Sequence, residues 1–320
     1  MIGFAAASVA ALVFWSIVKI YSASASDGQF HVEPDNGKKG PPVTKPTIIW
    51  FHSGAGYSLE SLKTAISSGL ITHVMLTYMH RADADWKTNA DVRKAIEMAK
   101  KSDVKLIWGR NLWPYYANKN IKLTDIFDPN YYAREIYHLR AEGKEMGADF
   151  VAFDTEPYAD SPMKLYLKGE KRIRLTAMEL QRLELVIKEV ARTTGKVDFV
   201  FPAGSLDWQH PYNILAGLGQ SRIAENTYYA NEKTIKAIKY PYEIFGAYVN
   251  TIRKRPENPD SPYFLVSDIL DNSQLWSKRK GLFLYTDKEK VRAVAKELVA
   301  YANSLPRVSP VQPQKSDSSE

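Results

Sequence analysis

The sequence predicts an α/β protein, a closed (β/α)8 TIM barrel that forms a single domain over residues 47–304. Three observations predict it. Short β-branched or aromatic runs recur eight times, and helical patterns with apolar residues at three- and four-residue spacing lie between them. The repeating region is also about 250 residues long, the usual size of one such barrel. Strands that alternate with helices imply a parallel sheet with helices packed on its outer face.

In chain order the strands are TIIWFHS (47–53), THVMLTY (72–78), VKLIWGR (104–110), ADFVAFD (148–154), VDFVFPA (197–203), RIAENTYY (222–229), YFLVSD (263–268) and GLFLYTD (281–287). The helices between them include SLESLKTAISSG (58–69), NADVRKAIEMAKKS (89–102), NYYAREIYHLRAEGKEMG (130–147), AMELQRLELVIKEVARTTG (177–195) and KEKVRAVAKELVAYANS (288–304). The segment YPYEIFGAYVNTIRKRP (240–256) is read as the sixth helix. Tyr242, Phe245, Tyr248, Val249 and Ile252 fall on one helical face, and Pro241 suits a first turn.

Residues outside the barrel divide into three parts. Residues 1–26 begin with the apolar run MIGFAAASVAALVFWSIV and continue into small residues, Ala23-Ser24-Ala25, which identify a signal peptide or membrane anchor. Residues 27–46 are rich in Gly, Pro and charge and read as a linker, and residues 305–320 read as a disordered tail. The expected location is secreted, periplasmic or envelope-anchored, with membrane contact only through an uncleaved leader. No cysteine occurs in the chain, which excludes thiol catalysis and thiolate metal sites. The net charge of +7 is modest for 320 residues. It predicts no nucleic-acid partner. Basic clusters at 168–174, 253–255 and 278–280 read as solvated surface or as attraction to an anionic polymer.

The stretch ADFVAFDTEPYAD (148–160) carries the chemistry. Function in such barrels sits at the C-terminal strand ends, where the loops share one rim. Alternation along strand four places Phe150, Ala152, Asp154 and Glu156 on the inward side. Two neighbouring acids repel, so one of them has a raised pKa and holds a proton near neutrality. The candidate catalytic residues are therefore Glu156 and Asp154.

This stretch resembles the strand-four motif of family 18 chitinases and of hyaluronidases, glycoside hydrolases that act on polymers containing N-acetylhexosamine. The chitinase pattern is D-x-x-D-x-D-x-E. Asp149, Asp154 and Glu156 match it, and Ala152 replaces the middle acid, while hyaluronidase-like enzymes keep only the final D-x-E. The resemblance implies that Glu156 protonates the leaving oxygen. Asp154 would orient a 2-acetamido group whose carbonyl oxygen attacks the anomeric carbon. It also implies a Tyr from strand six beside the acetamido oxygen, and Tyr228 and Tyr229 stand there. Thr155-Glu156-Pro157 is similar as well to the N-E-P of a large clan of retaining barrel glycosidases, in which that Glu is the acid/base and a strand-seven Glu is the nucleophile. Here Thr stands in place of Asn. A second carboxylate would have to come from Asp268, Asp207 or Glu225.

Aromatic residues crowd the predicted post-strand segments: Trp86, Trp113, Tyr115, Tyr116, Tyr158, Trp208, Tyr212 and Trp276. Rings that cover the C–H faces of sugars give a saccharide cleft such a composition. Trp108, Arg110, His80 and Arg81 complete the expected substrate-binding set, and rim arginines suit a uronate or sulfate or an ion pair with Asp154. His52 ends strand one and reads as a hydrogen-bonded loop histidine. No metal site or cofactor is expected. Strand one reads Phe51-His52-Ser53-Gly54 where amidohydrolases need H-x-H, no two histidines have the H-x-x-x-H spacing of polysaccharide deacetylases, and neither a G-x-G-x-x-G frame nor a G-x-S-x-G elbow occurs. The expected function is hydrolysis of a polysaccharide bearing N-acetylhexosamine or acidic sugars. A retaining two-carboxylate glycosidase and a non-catalytic, envelope-tethered carbohydrate-binding barrel are the alternatives.

Overall fold

A computed structural model of the chain describes residues 46–53, 57–77, 89–113, 122–156, 174–201, 210–224, 227, 232–237, 241–256, 258–260, 262–272, 275–276 and 279–305. The leader, the linker and the tail predicted from the sequence lie outside these residues. Eight parallel strands close into a barrel in sequence order, and each is followed by a helix. They are β1 (Thr47–Ser53), α1 (Leu59–Ser67), β2 (His73–Thr77), α2 (Ala90–Lys100), β3 (Lys105–Asn111), α3 (Pro129–Met146), β4 (Phe150–Asp154), α4 (Ala177–Thr194), β5 (Val197–Phe201), α5 (Pro211–Leu215), β6 (Gly219–Ala224), α6 (Glu232–Ala237), β7 (Ile244–Tyr248), α7 (Val266–Asp271), β8 (Gly281–Tyr285) and α8 (Val291–Ser304). The (β/α)8 TIM barrel expected from the sequence is the fold. Among the described residues no helix is long and apolar enough to cross a membrane.

Two apolar layers result from the strand alternation. Ile49, Phe51, Met75, Ile107, Ala152, Phe199, Phe201, Ile223, Ile244 and Phe283 fill the barrel interior. The intervening residues, among them Trp50, Leu76, Trp108, Phe153, Phe245 and Leu284, pack against the helices. Strands buried on both faces read as continuous apolar runs, so their sequences show little alternation.

Two elements differ from the expectation, and that property accounts for the first of them. The proposed sixth helix contains β7, and the proposed seventh strand, YFLVSD, is a single bridge from Phe264 to Val249 followed by α7. All five residues of β7 are buried. A run that is apolar on both faces satisfies a helical template as readily as a strand, and Ile252, assigned to the helical face, is instead 48% exposed. Strand six also lies earlier than expected, at Gly219–Ala224.

The segment before β4 is tightly specified. Asp128 caps α3 by accepting from Asn130 N, Pro129 occupies its first turn, and Gly147 ends it at φ 66°. Three residues later β4 begins. At the opposite end of the barrel Gly281 starts β8 between β1 and β7. A Cβ there would lie 2.5 Å from the Thr47 carbonyl oxygen and 2.8 Å from Thr47 Cβ. Backbone cannot give way like a side chain tip. Gly281→Ala is expected to cost about 1–3 kcal/mol, measured as a lower urea midpoint at unchanged m-value.

Candidate functional site

Asp154 is the last residue of β4, and Asn111, its register partner, is the last of β3. Both belong to the inward-facing set at the C-terminal rim. Beneath Asp154 lies Ala152, fully buried among the barrel's apolar interior residues. The motif's missing middle acid is therefore a methyl group in an apolar chamber. Burial raises the Asp154 carboxyl to about 7, the neighbouring Glu156 charge adds to the rise, and the N–H of Glu156, 2.8 Å from Asp154 Oδ1, opposes it. The Asp154 carboxyl is thus poised near neutrality.

Glu156, half-buried, follows on a turn that is fastened from three sides. The Asn111 side-chain amide donates to the Glu156 carbonyl, and Asn111 Oδ1 accepts from Trp113 N at 2.7 Å. Trp113 Nε1 donates to the Thr155 carbonyl at 3.0 Å, and the Trp113 ring stacks on Tyr131 at 5.2 Å. Thr155, fully buried, donates its hydroxyl to the Phe201 carbonyl on β5 at 2.7 Å. Thr155 therefore pins β4 to β5 from a position where its side chain points away from solvent. Asp149, the first acid of the motif, lies at the opposite end of β4. Although burial works against it, the Leu106 N–H and Lys105 hold its carboxyl below the usual range.

The other predicted residues separate clearly. Arg110 and Trp108 face outward toward α3. Arg110 pairs with Glu135 at 2.9 Å and Glu142 at 3.1 Å, and Trp108 Nε1 donates to Glu142 at 3.1 Å. Arg110 is thus directed away from Asp154 and Glu156. Trp113, Tyr212 and Trp276 are core residues, with Trp276 Nε1 donating to the Ile269 carbonyl at 2.8 Å. Asp268 lies in the first turn of α7, not at a strand end, and there it pairs with Arg253 and accepts from Leu265 N at 3.2 Å. Tyr228, Tyr229, Trp208, His80, Arg81, Tyr158, Trp86, Tyr115, Tyr116, Asp207 and Glu225 lie outside the described residues.

Other rim aromatics had not been singled out. Tyr248 ends β7 opposite Tyr285, which ends β8, with ring centroids 5.1 Å apart. Tyr263 stacks on Tyr248 at 4.9 Å, and Tyr57 stands edge-on to Phe51 at 5.9 Å. Tyr285 was legible from its inward position two residues after Phe283, whereas Tyr248 was hidden by the helical assignment of its strand. His52 is buried, and burial lowers its pKa to about 4.

No family model matches the chain, and no curated protein matches it. Solved structures do resemble it. A chitinase from Bacteroides thetaiotaomicron matches at 14% identity over 82% of this chain and 99% of that one, with a TM-score of 0.50. The spore cortex-lytic enzyme SleL of Bacillus megaterium QM B1551 matches at 10% identity over 79% and 73% of the two chains, with a TM-score of 0.47. An aldolase from Escherichia coli K12 matches at 11% identity over 81% and 91%, with a TM-score of 0.36. At these identities the shared property is the barrel.

Two outcomes follow from the geometry. The raised Asp154 pKa means that the folded chain binds more protons than the unfolded chain between 3.8 and about 7, so this group makes stability fall as pH rises through that window. His52 acts oppositely. Its depressed pKa makes stability fall as pH drops from 6.5 toward about 4. The melting temperature of Asp154→Asn should therefore rise more steeply with pH than that of the wild type over their common range. Parallel curves would show that Asp154 titrates normally. Arg110→Met should cost about 3 kcal/mol by leaving the buried Glu135 with only its 3.5 Å contact to the exposed Arg134, with KM unaltered on any substrate that is turned over.

Proposed function

We propose that the protein is a glycoside hydrolase that cleaves a polysaccharide, with Glu156 as general acid/base and Asp154 as its partner. The observation that carries this reading is the poised carboxyl of Asp154, raised to about 7 beside the fastened Glu156 at the C-terminal rim of the barrel. In the first step Glu156 gives its proton to the glycosidic oxygen as the bond to the anomeric carbon breaks. The substrate's acetamido oxygen bonds to that carbon, as in the enzymes that the strand-four motif resembles. Water then attacks the same carbon and gives a proton to Glu156, as the bond from that carbon to the acetamido oxygen breaks and the amide is restored. Asp154 exchanges a proton near neutrality at little cost, so it can accept from the amide N–H while the amide oxygen becomes nucleophilic. The shared barrel of the Bacteroides chitinase and the motif together favour an N-acetylhexosamine polymer as substrate. The apolar leader favours action outside the cytoplasm.

The two-carboxylate alternative needs an acid at the end of strand seven. β7 ends in Tyr248 and runs on as Val249-Asn250, which removes the residue that Asp268 was expected to supply. The non-catalytic binding barrel is an outcome of the same test as the hydrolase.

Sugar release from chitin-type, neutral and uronate polysaccharides checks the reading. Glu156→Gln should lower kcat by about 10²–10⁴-fold. Asp154→Asn should lower it comparably with melting near that of the wild type. Equal activity of wild type and Glu156→Gln would remove Glu156 from the reaction, and glycan binding without any hydrolysis would make the protein a binding barrel.

A further inference from the structure

In the closed order of eight strands, β8 lies four strands from β4 in either direction, so its end faces the acid pair across the barrel mouth. The floor between them is continuous and apolar. Phe201 is the register partner of Asp154, and its ring meets Phe283 at 5.0 Å, one inward position below Tyr285. On the far side stands a polar cluster that the catalytic proposal does not use. The charge of Asp287 is felt by the hydroxyls of Tyr248 and Tyr57, and Tyr285 and Glu289 adjoin the same cluster. Burial and this carboxylate both keep the Tyr248 hydroxyl protonated.

Asp287 is held in place by backbone contacts. Tyr57 donates its hydroxyl to the preceding carbonyl, that of Thr286, and the Asp287 carbonyl accepts from Lys290 N at 3.0 Å and Val291 N at 2.9 Å as α8 begins. The carboxylate is half-buried. A carboxylate offers about four acceptor positions. The Tyr248 and Tyr263 rings, stacked 26° from parallel, form an aromatic wall alongside. The surrounding arginines are engaged elsewhere: Arg253 on Asp268, Arg255 over the Tyr263 ring and Arg279 over the Tyr242 ring. Among the described residues, Asp154, Glu156 and Asp287 have no ion-pair partner.

We propose that Asp287, whose backbone is held by Tyr57 at Thr286 and by the first turn of α8, is a specificity residue that accepts hydrogen bonds from the hydroxyls of an uncharged sugar and repels uronates. This inference rests on the glycosidase reading and names the substrate class of that site. Adjacent hydroxyls of a pyranose present two donors that a carboxylate accepts together, while the C–H face of the ring suits an aromatic wall. A uronate or sulfate placed there would meet a fixed negative charge, and rejection by like charge discriminates as strongly as attraction selects. Within the basic clusters at 253–255 and 278–280, Arg253, Arg255 and Arg279 are spent on the contacts above.

Calorimetric binding to the Glu156→Gln protein tests the proposal with two probes, a tetramer of N-acetylglucosamine and a hyaluronan tetramer that alternates it with glucuronate. The neutral tetramer should bind more tightly. Adding Asp287→Asn should weaken it by about tenfold while tightening the uronate tetramer by roughly fivefold at low salt. A merely structural role would weaken both probes together, so unchanged relative affinity overturns the proposal. Tyr248→Phe, which keeps the ring and the Asp287 charge, should weaken the neutral tetramer without favouring the uronate. If the wild type hydrolyses the polymer through Glu156 while Asp287→Asn alters neither affinity, this inference fails and the glycosidase reading stands. If neither tetramer binds and nothing is hydrolysed, both fail.

Discussion

The site depends on a carboxyl group held at the end of a strand that is otherwise apolar. Every inward neighbour of Asp154 on its own strand and on β5 is hydrocarbon, so the charged form lacks solvation. Among the described residues its compensation is the Glu156 N–H. That single hydrogen bond also fixes how the chain turns as it leaves the barrel, and so it sets where Glu156 stands. Electrostatics and geometry at this point have the same cause.

The braces around the turn serve that constraint. A strand end is free to fray unless its neighbours hold it, and here Asn111, Trp113 and Thr155 fasten three successive carbonyls or side chains to β3 and β5. Behind them the Trp113–Tyr131 stack ties the turn to α3, whose Glu135 and Glu142 take up Arg110. The buried ion pairs among the described residues therefore lie outside the barrel, where they position α3.

The two halves of the mouth differ in character. The β4 side carries the two acids, and the β7–β8 side carries tyrosine rings beside the Asp287 carboxylate, across a floor of phenylalanines.

The sequence alone determined the barrel, because eight apolar runs alternating with amphipathic helices admit few other arrangements, and it placed Asp154 and Glu156 at the rim through the two-residue period of β4. It could not distinguish strand from helix at 244–248, since burial on both faces removes the alternation that marks a strand. It also could not tell which way Arg110 and Trp108 face. The direction of a side chain in a closed barrel follows from register, and register is set by strands distant in sequence: β3 pairs with β4 forty-odd residues on, and β8 closes on β1 more than two hundred residues back. The cluster of Tyr57, Tyr248, Tyr285 and Asp287 arises in the same way. Its members come from three parts of the chain, and only closure of the barrel brings them together.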